Sequence, residues 1–452
     1  MSITNPMRFP DTGSRKAMTK RAWWLIGLNI LIPGSAQLLA GSRRLGRFGV
    51  VCTFIAWLLV ITALVLLFTA PRVIYSAATN EWALLAAEVL LFFYAVLWVV
   101  LTVDTLRLAR LGRASRTGLV FVSVVSIAAL LAVAGVSGYS AYLAGVGRGV
   151  ITDVFNGGGK VAEPIEGRFN ILLLGGDAGA GRVGLRPDSI SVVSVDAETG
   201  NTTLIGVPRN LYNAPFAEGS PLWKPFPNGY SCGNDCLVSY LYTYGESHPA
   251  LYPDAKRYGS SPGVEAMRDA IEGVLGLKLQ YYVLIDMAGF ANLVDALGGI
   301  TIDVKERLPI GGDEQLRGVD GWIEPGVQHM DGYTALWYAR SRHTTTDYDR
   351  MARQREVQEA ILKQFTPMTV LTKFQAIAEA GKHLLKTDIP SPMLGQFVEV
   401  ATKARSQHVT TLELVPPTIV TAHPDYDKIH RLVQDAVAPE PKAPNVSPSP
   451  VP

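Results

Sequence analysis

Hydrophobic residues follow two regimes along this chain. Up to about residue 140 they form long runs, at 23–40, 48–70, 84–103 and 118–138, whereas beyond residue 168 they come in short bursts. The last three runs are each long enough for a helix to cross a hydrocarbon core of about 30 Å. The first is interrupted by Pro33-Gly34-Ser35 and by the polar Asn29 and Gln37, which predicts a re-entrant or interfacial hairpin instead of a span. Residues 139–167 are small, Gly-rich and polar, the composition of a flexible link. From 169 onwards FNILLLGGD reads as a buried strand ending in glycines, SISVVSVDAETGNTTLIGVP as two strands joined by a turn, and YYVLIDM and GITIDV as later strands. Helical periods separate them. Phe290, Leu293, Val294 and Leu297 share a helix face before a Gly298-Gly299 stop, and a second helix runs from near Gly263 to Leu275. A third, over 349–365, is charged and amphipathic, with Met351, Val357, Ile361 and Leu362 as packing positions. Strands alternating with helices predict an α/β layered domain, a sheet flanked by helices. The tail 439–452 is too rich in proline to fold alone.

The 452 residues are 48% hydrophobic and 18% charged, and the net charge of +2 is a cancellation. Residues 1–140 hold 13 Lys and Arg against 4 Asp and Glu, and the remainder holds 28 against 35. The basic excess lies in the apolar half, which argues against a nucleic-acid reader. Its clusters are Arg15, Lys16, Lys20 and Arg21, then Arg43, Arg44 and Arg47, then Arg107, Arg110, Arg113 and Arg116. All three can lie in the cytoplasm only if 23–40 does not span. A cytoplasmic segment 1–22 followed by three crossings then puts everything after residue 139 outside. The competing topologies are four spans with an outside N-terminus, or a cytoplasmic C-terminal half. Of three cysteines, Cys52 sits in an apolar run. Cys232 and Cys236, in YSCGNDC, are compatible with a disulfide, with two free thiols, or with half of a metal site whose second half has no matching motif.

Chemistry concentrates in three places. The first strand ends at Gly175-Gly176-Asp177, and Arg186-Pro187-Asp188 precedes the second, so two carboxylates and an arginine meet at a strand end, where α/β sheets form ligand crevices. No GK[ST] follows, so this is not a nucleotide P-loop. The second place holds Arg340 and Arg342, which would share a face of a strand, then Asp347, Arg350, Arg353 and Arg355 on the following helix. Converging guanidinium forks opposite carboxylates are the pattern for a diphosphate held with a divalent ion. A solvated helix face laced with ion pairs would account for Arg355 and Glu356. The third is Val207-Pro208-Arg209-Asn210 at a strand end. His329 and His343 lie near these clusters without a Ser/His/Asp arrangement.

With these residues in place the chain resembles the LytR-CpsA-Psr family of cell-wall glycopolymer ligases over about 168–365. The blocks are NILLLGGD with a downstream RPD, then VPRN, YYVLIDMAGFANLVDALGGITIDV, MDGYTALWYARSR and DYDRMARQR. The resemblance implies an extracytoplasmic catalytic domain over 168–365, a C-terminal extension over 366–438, and an anchor in the cytoplasmic membrane. It implies transfer of a glycopolymer from a polyprenyl-diphosphate carrier to peptidoglycan with a phosphodiester formed, and an arabinogalactan-like polymer would suit the multispan type. Asp177 and Asp188 match the acidic positions associated with Mg2+ and, with Arg186, the catalytic centre. Arg186, Arg209, Arg340, Arg342 and Arg350 match those around the diphosphate, with Asp347, Arg353 and Gln354 in support. Asn210 stands where the family commonly has aspartate, so it is left out of the metal set. The Phe290, Leu293, Val294 and Leu297 face would either line a route for the lipid or pack in the core. The other function classes are a non-catalytic glycan-binding or regulatory protein and a polyprenyl-diphosphate pyrophosphatase.

Overall fold

The computed structural model describes residues 7–155, 159–177, 186–232, 236–313, 315–341, 345–364, 373, 376, 377, 380 and 385–438, without the side chains of Asp177, Arg186 and Leu385. The chain divides into two compact units, Met1–Thr152 and Asp153–Pro452.

In the first unit α1 (Arg15–Leu31) and α2 (Ser35–Ala40) form a hairpin that turns at Pro33-Gly34. It is followed by α3 (Arg43–Thr69), α4 (Pro71–Ala78), α5 (Glu81–Ala109) and α6 (Arg116–Val154). Three helices, Arg43–Thr69, Glu81–Arg113 and Arg116–Val154, are long and apolar enough to cross a membrane. The break predicted in the first run is the α1–α2 turn. Gly34 has φ 96, and a Cβ there would lie 2.6 Å from the Val50 amide nitrogen of α3. Only glycine allows that approach. The polar residues that mark the break are internal glue: Asn29 Nδ2 donates to Thr102 Oγ1 at 3.1 Å, and Gln37 Nε2 to the Leu101 carbonyl at 2.8 Å. One expectation is corrected. Residues 139–154 are not a flexible link but the last four turns of α6. Once a helix is nucleated, each added residue gains a hydrogen bond, and Tyr142, Leu143 and Val146 propagate it past the glycines.

The second unit is built on a six-stranded mixed sheet whose strands are β1 (Arg168–Asp177), β2 (Arg186–Asp196), β3 (Thr202–Val207), β4 (Tyr281–Asp286) and two later ones. Helices α7 (Leu241–Ser247) and α8 (Pro262–Leu275) lie between β3 and β4. After β4 come α9 (Met287–Leu297), β5 (Ile300–Val304), β6 (Leu308–Gly311), β7 (Val319–Ile323) and β8 (Gly326–Met330). Then follow α10 (Gly332–Arg340), α11 (Asp347–Gln364), β9 (Leu385–Thr387), α12 (Leu394–Ala404), β10 (Val409–Glu413) and α13 (Tyr426–Val437). The sheet order is β10-β3-β2-β1-β4-β9, with β5–β8 and β6–β7 as separate two-stranded sheets.

Strand β1 pairs parallel with β4 and antiparallel with β2, and β10 pairs parallel with β3. The carboxyl ends of β1, β3, β4 and β10 therefore share one edge. Alternation sorts the faces. Leu172, Leu174, Ile190, Val192, Ile205 and Val207 pack with Val264, Met267 and Ile271 of α8 and Ile429 and Val433 of α13 in the main core. The opposite face meets α11, where Gln358 Nε2 donates to Ser191 Oγ at 3.1 Å. In a second core, Val294 of α9 packs with Ile300, Ile302, Ala335, Tyr338 and Val357, and Phe290 lies against it. Of the apolar face of α9, Val294 and Leu297 are buried, whereas Phe290 and Leu293 are only half-buried.

The expected boundary at 365 is also corrected. Strands β9 and β10 close opposite edges of the main sheet, and α13 packs in its core, so 385–438 is integral to the domain. Strands β3 and β4 would otherwise expose unpaired backbone groups.

The β2–β3 turn offers a pH test. Asp196 Oδ1 accepts from the Glu198 and Thr199 amides at 2.9 and 2.7 Å. Burial works against its charge, but the Thr199 and Glu198 hydrogen bonds and nearby Arg168 outweigh it and hold the carboxyl below its ordinary value. The stabilisation is thus present above the ordinary carboxylate value and is lost as pH falls through the depressed one. Asp196→Asn is expected to lower the thermal midpoint at neutral pH and to leave it unchanged at about pH 2, as followed by scanning fluorimetry.

Candidate active site

A strand irregularity starts the site. In the β1–β2 ladder Gly175 pairs with Ser189 and Gly176 with Pro187, so Asp188 is the extra residue of a bulge. Bulges break strict alternation and re-aim side chains, and Asp188 is freed from the face that carries Ile190 and Val192. Its carboxylate meets Arg209, two residues past β3, with Arg209 Nη1 2.5 Å from Asp188 Oδ1. Arg209 Nε donates to Asp347 Oδ2 at 3.1 Å, from the first turn of α11. One turn on, Arg350 Nη2 lies 3.2 Å from the same Asp347 oxygen and 3.4 Å from the Asp188 carbonyl. Asp188, Arg209, Asp347 and Arg350 therefore form one chain of alternating charge at the carboxyl edge of the sheet. Burial disfavours the Arg209 charge, but Asp188 and Asp347 more than offset it, so its pKa lies above the ordinary arginine value. Arg209 stays a cation at every accessible pH.

Asp177 ends β1 and Arg186 begins β2, and the two are backbone partners across the ladder. Gly176 in turn pairs with Asp286 of β4, whose Oδ1 accepts from the Gly289 amide at 2.7 Å and caps α9. Arg342 and His343 lie outside the described residues. Arg340 corrects an expectation: it ends helix α10 instead of lying on a strand, and its exposed guanidinium stacks 5.1 Å from the Trp337 ring. The helix forms because Asp331 caps it, accepting from the Thr334 amide at 2.8 Å. Arg353 is buried and turned inward. Its Nε donates to the Tyr338 carbonyl at 3.0 Å and its Nη2 to Thr345 Oγ1 at 3.0 Å, with a further bond to the Ser341 carbonyl. It thus holds both ends of the α10–α11 connection, and burial lowers its pKa. Gln354 Nε2 donates to the Ala339 carbonyl at 3.3 Å. His329 lies exposed on β8, opposite Thr301 of β5, with Nε2 2.9 Å from the Gly298 carbonyl.

Arg355 is the largest departure. Instead of a solvated pair with Glu356, it is 3% exposed and faces Glu413 of β10, Nε to Oε1 3.8 Å. Glu356 accepts from the Tyr338 hydroxyl. Burial lowers the Arg355 pKa and raises that of Glu413, each opposed by the partner's charge. The sequence reading also missed the residues that seat Pro208-Arg209. The Ser239 amide donates to the Arg209 carbonyl at 3.3 Å, and the Tyr212 amide to the Thr421 carbonyl at 3.2 Å. Thr421 Oγ1 lies 3.1 Å from the Tyr348 hydroxyl and 3.5 Å from Asn210 Nδ2. Ser239 follows the Cys232–Cys236 disulfide, whose Cα atoms are 5.1 Å apart. No local spacing signals these contacts, because the partners are distant in the chain.

Residues 152–430 match the model of the LytR_cpsA_psr family. The chain belongs to the LytR-CpsA-Psr family. It is 30% identical over 237 residues to the probable cell wall biosynthesis protein LcpB of Corynebacterium glutamicum, covering 52% of this chain and 44% of that one. It is also 30% identical over 225 residues to the polyisoprenyl-teichoic acid–peptidoglycan teichoic acid transferase TagU of Enterococcus faecalis, covering 49% and 61%. The chain thus spans about half the length of these relatives. Among solved structures, protein gbs0355 of Streptococcus agalactiae is similar with a TM-score of 0.45 and 22% identity, covering 60% of this chain and 88% of that one. The LytR-CpsA-Psr match takes in every strand of the main sheet and α11, the helix that supplies Asp347 and Arg350.

Proposed function

We propose that this protein transfers a glycopolymer from a polyprenyl-diphosphate carrier to a peptidoglycan hydroxyl outside the cytoplasmic membrane. The observation that carries the reading is the Asp188–Arg209–Asp347–Arg350 chain at the carboxyl edge of the sheet. It is a pre-organised cradle of alternating charge whose arginines are held by carboxylates before any ligand arrives, so little reorganisation is left for the reaction. Arg209 uses Nε and Nη1 on those carboxylates, leaving Nη2 for a phosphoryl oxygen. Arg186, Arg340 and Arg342 are assigned to the same diphosphate by resemblance.

In the step itself the acceptor hydroxyl attacks the phosphorus nearer the glycan. A new P–O bond forms, the bridging P–O bond breaks, and polyprenyl phosphate leaves with the bond's electrons. The hydroxyl proton passes to a carboxylate, for which Asp177 at the end of β1 is the candidate. Arg209 and Arg350 take up charge that gathers on the phosphoryl oxygens. Magnesium suits the donors here, since Asp188 and Asp177 offer hard carboxylate oxygens. Mg2+ commonly takes one or two carboxylates and completes its shell with phosphate and water. When bound, it would neutralise phosphoryl charge.

The test uses full-length protein in detergent, a labelled polyprenyl-diphosphate glycan, Mg2+ and peptidoglycan. Label is expected to move to peptidoglycan with wild type and not with Asp188→Ala. Equal transfer by Asp188→Ala removes the proposed site. Release of free glycan phosphate without attachment would make the protein a hydrolase, and binding without either product a non-catalytic glycan binder.

The placement outside the membrane has its own expected result. A cysteine introduced at Ser247, on an exposed stretch of the second unit, should react with an impermeant maleimide on intact cells. One introduced at Gly112, between α5 and α6, should react only after lysis. The reverse pattern overturns the three-span topology.

A further inference from the structure

Away from the charged chain, the first unit carries an open cavity of about 650 Å³ lined by Lys16, Thr19, Lys20, Trp23, Trp24 and Ser115. Lys16, Lys20, Trp23 and Trp24 recur at helical spacing and form one stripe on α1. The facing wall is the start of α6, and hydrogen bonds hold it in place. The Ser115 amide donates to Thr19 Oγ1 at 2.9 Å, and Ser115 Oγ accepts from the Gly118 amide at 3.1 Å. Two residues further along α1, Arg21 Nη1 donates to the Leu108 carbonyl at 2.7 Å, which fixes α1 against the end of α5. The cavity therefore has rigid walls.

Its chemistry is two-sided. Lys16 and Lys20 supply two ammonium groups, Arg15, Arg113 and Arg116 flank the lining residues in sequence, and no carboxylate is among them. Trp23 and Trp24 are 41% and 58% exposed, large indoles left uncovered by protein on a unit made of membrane-length helices. Indoles favour the boundary between headgroups and acyl chains, and basic pockets between membrane helices take phosphate headgroups. A soluble anion would use the lysines and leave both indoles unsatisfied. We propose that this cavity binds an anionic phospholipid, with its phosphate between Lys16 and Lys20 and its acyl chains along Trp23 and Trp24. The assignment does not depend on the reaction proposed for the other unit.

The experiment places full-length protein in nanodiscs containing either brominated phosphatidylglycerol or brominated phosphatidylcholine at equal mole fraction and measures tryptophan quenching. Phosphatidylglycerol is expected to quench more, and the difference should vanish in Trp23→Phe/Trp24→Phe, which identifies these two indoles among the 8 tryptophans. It should also vanish in Lys16→Gln/Lys20→Gln, whose thermal midpoint should match wild type. In native mass spectrometry the same lysine variant is expected to retain about tenfold less anionic lipid. Equal quenching by the two lipids, or an undiminished preference in the lysine variant, overturns the proposal. So does loss of the preference on adding inorganic phosphate, which would make the ligand a soluble anion.

Discussion

Replacing Arg209 by alanine is expected to lower transfer turnover by about 10²–10³-fold, the range seen when a single pre-organised donor to a developing oxyanion is lost. Its position explains why this residue outweighs its neighbours. Arg209 contacts the carboxylates of Asp188 and Asp347 at once, one on the bulge of β2 and one on α11. Without it the Asp188 carboxylate faces a bound diphosphate with its guanidinium gone and Asp347 keeps only Arg350, so binding and turnover suffer together. Stability should change much less. Arg209, Asp188 and Asp347 each retain about a quarter of their side-chain exposure, and such partly solvated pairs contribute roughly 1 kcal/mol or less. Arg209→Lys separates charge from geometry: an ammonium restores the charge but lacks the fork that spans two carboxylates. The expected pattern is a KM near wild type with kcat still depressed at least tenfold. The measurement is initial transfer rate against donor concentration, paired with a thermal melt. Turnover within threefold of wild type for Arg209→Ala, in a folded protein, would remove Arg209 from the reaction.

The largest loss of stability is expected from Glu413→Ala, at about 3–5 kcal/mol. Arg355 is 3% exposed and faces Glu413, and neither its guanidinium nitrogens nor the Glu413 carboxylate oxygens have a hydrogen-bond partner among the described residues. The two charges are held by each other alone, so deleting one strands the other in the interior. The consequences reach the site, because a Cβ on Gly206 would lie only 2.1 Å from a Glu413 carboxylate oxygen. That carboxylate rests on the β3 backbone three residues before Arg209. Replacing both partners, as Arg355→Met/Glu413→Leu, removes the stranded charge and should return the thermal midpoint close to that of wild type. A double variant no more stable than Glu413→Ala would show that the loss came from packing and not from an unpaired charge.

Much of the scaffold was legible in local pattern. Alternation and glycine stops marked β1 through β4, and the period of 3.6 marked α8, α9 and α11, because each of those signals is written within a dozen residues. Hydropathy marked the three long helices for the same reason, and Pro33-Gly34 marked the hairpin. The edges of the sheet were not legible. Strands β9 and β10 are short, and they become strands because β4 and β3 offer unpaired backbone there. The charged residues were named correctly as types but not sorted. Arginines 350, 353 and 355 stand on one helix within six positions, yet they face Asp347, the α10–α11 connection and Glu413 respectively. Helix geometry places those side chains in three directions, and only the packed neighbours decide that one joins the candidate site, one braces a loop and one is buried with a counter-charge.

By itself, then, the sequence determined the membrane-length helices, the α/β character of the remainder and the family, all of which rest on composition, short-range periodicity and ordered motifs. The tertiary structure alone decided which charges meet. Asp188 reaches Arg209 because a bulge turns it, and Arg209 reaches Asp347 across 138 positions of sequence because the ends of β3 and α11 converge at one edge of the sheet. Contacts of that range are fixed by the closing of the sheet and its layers, a cooperative event that no window of residues contains.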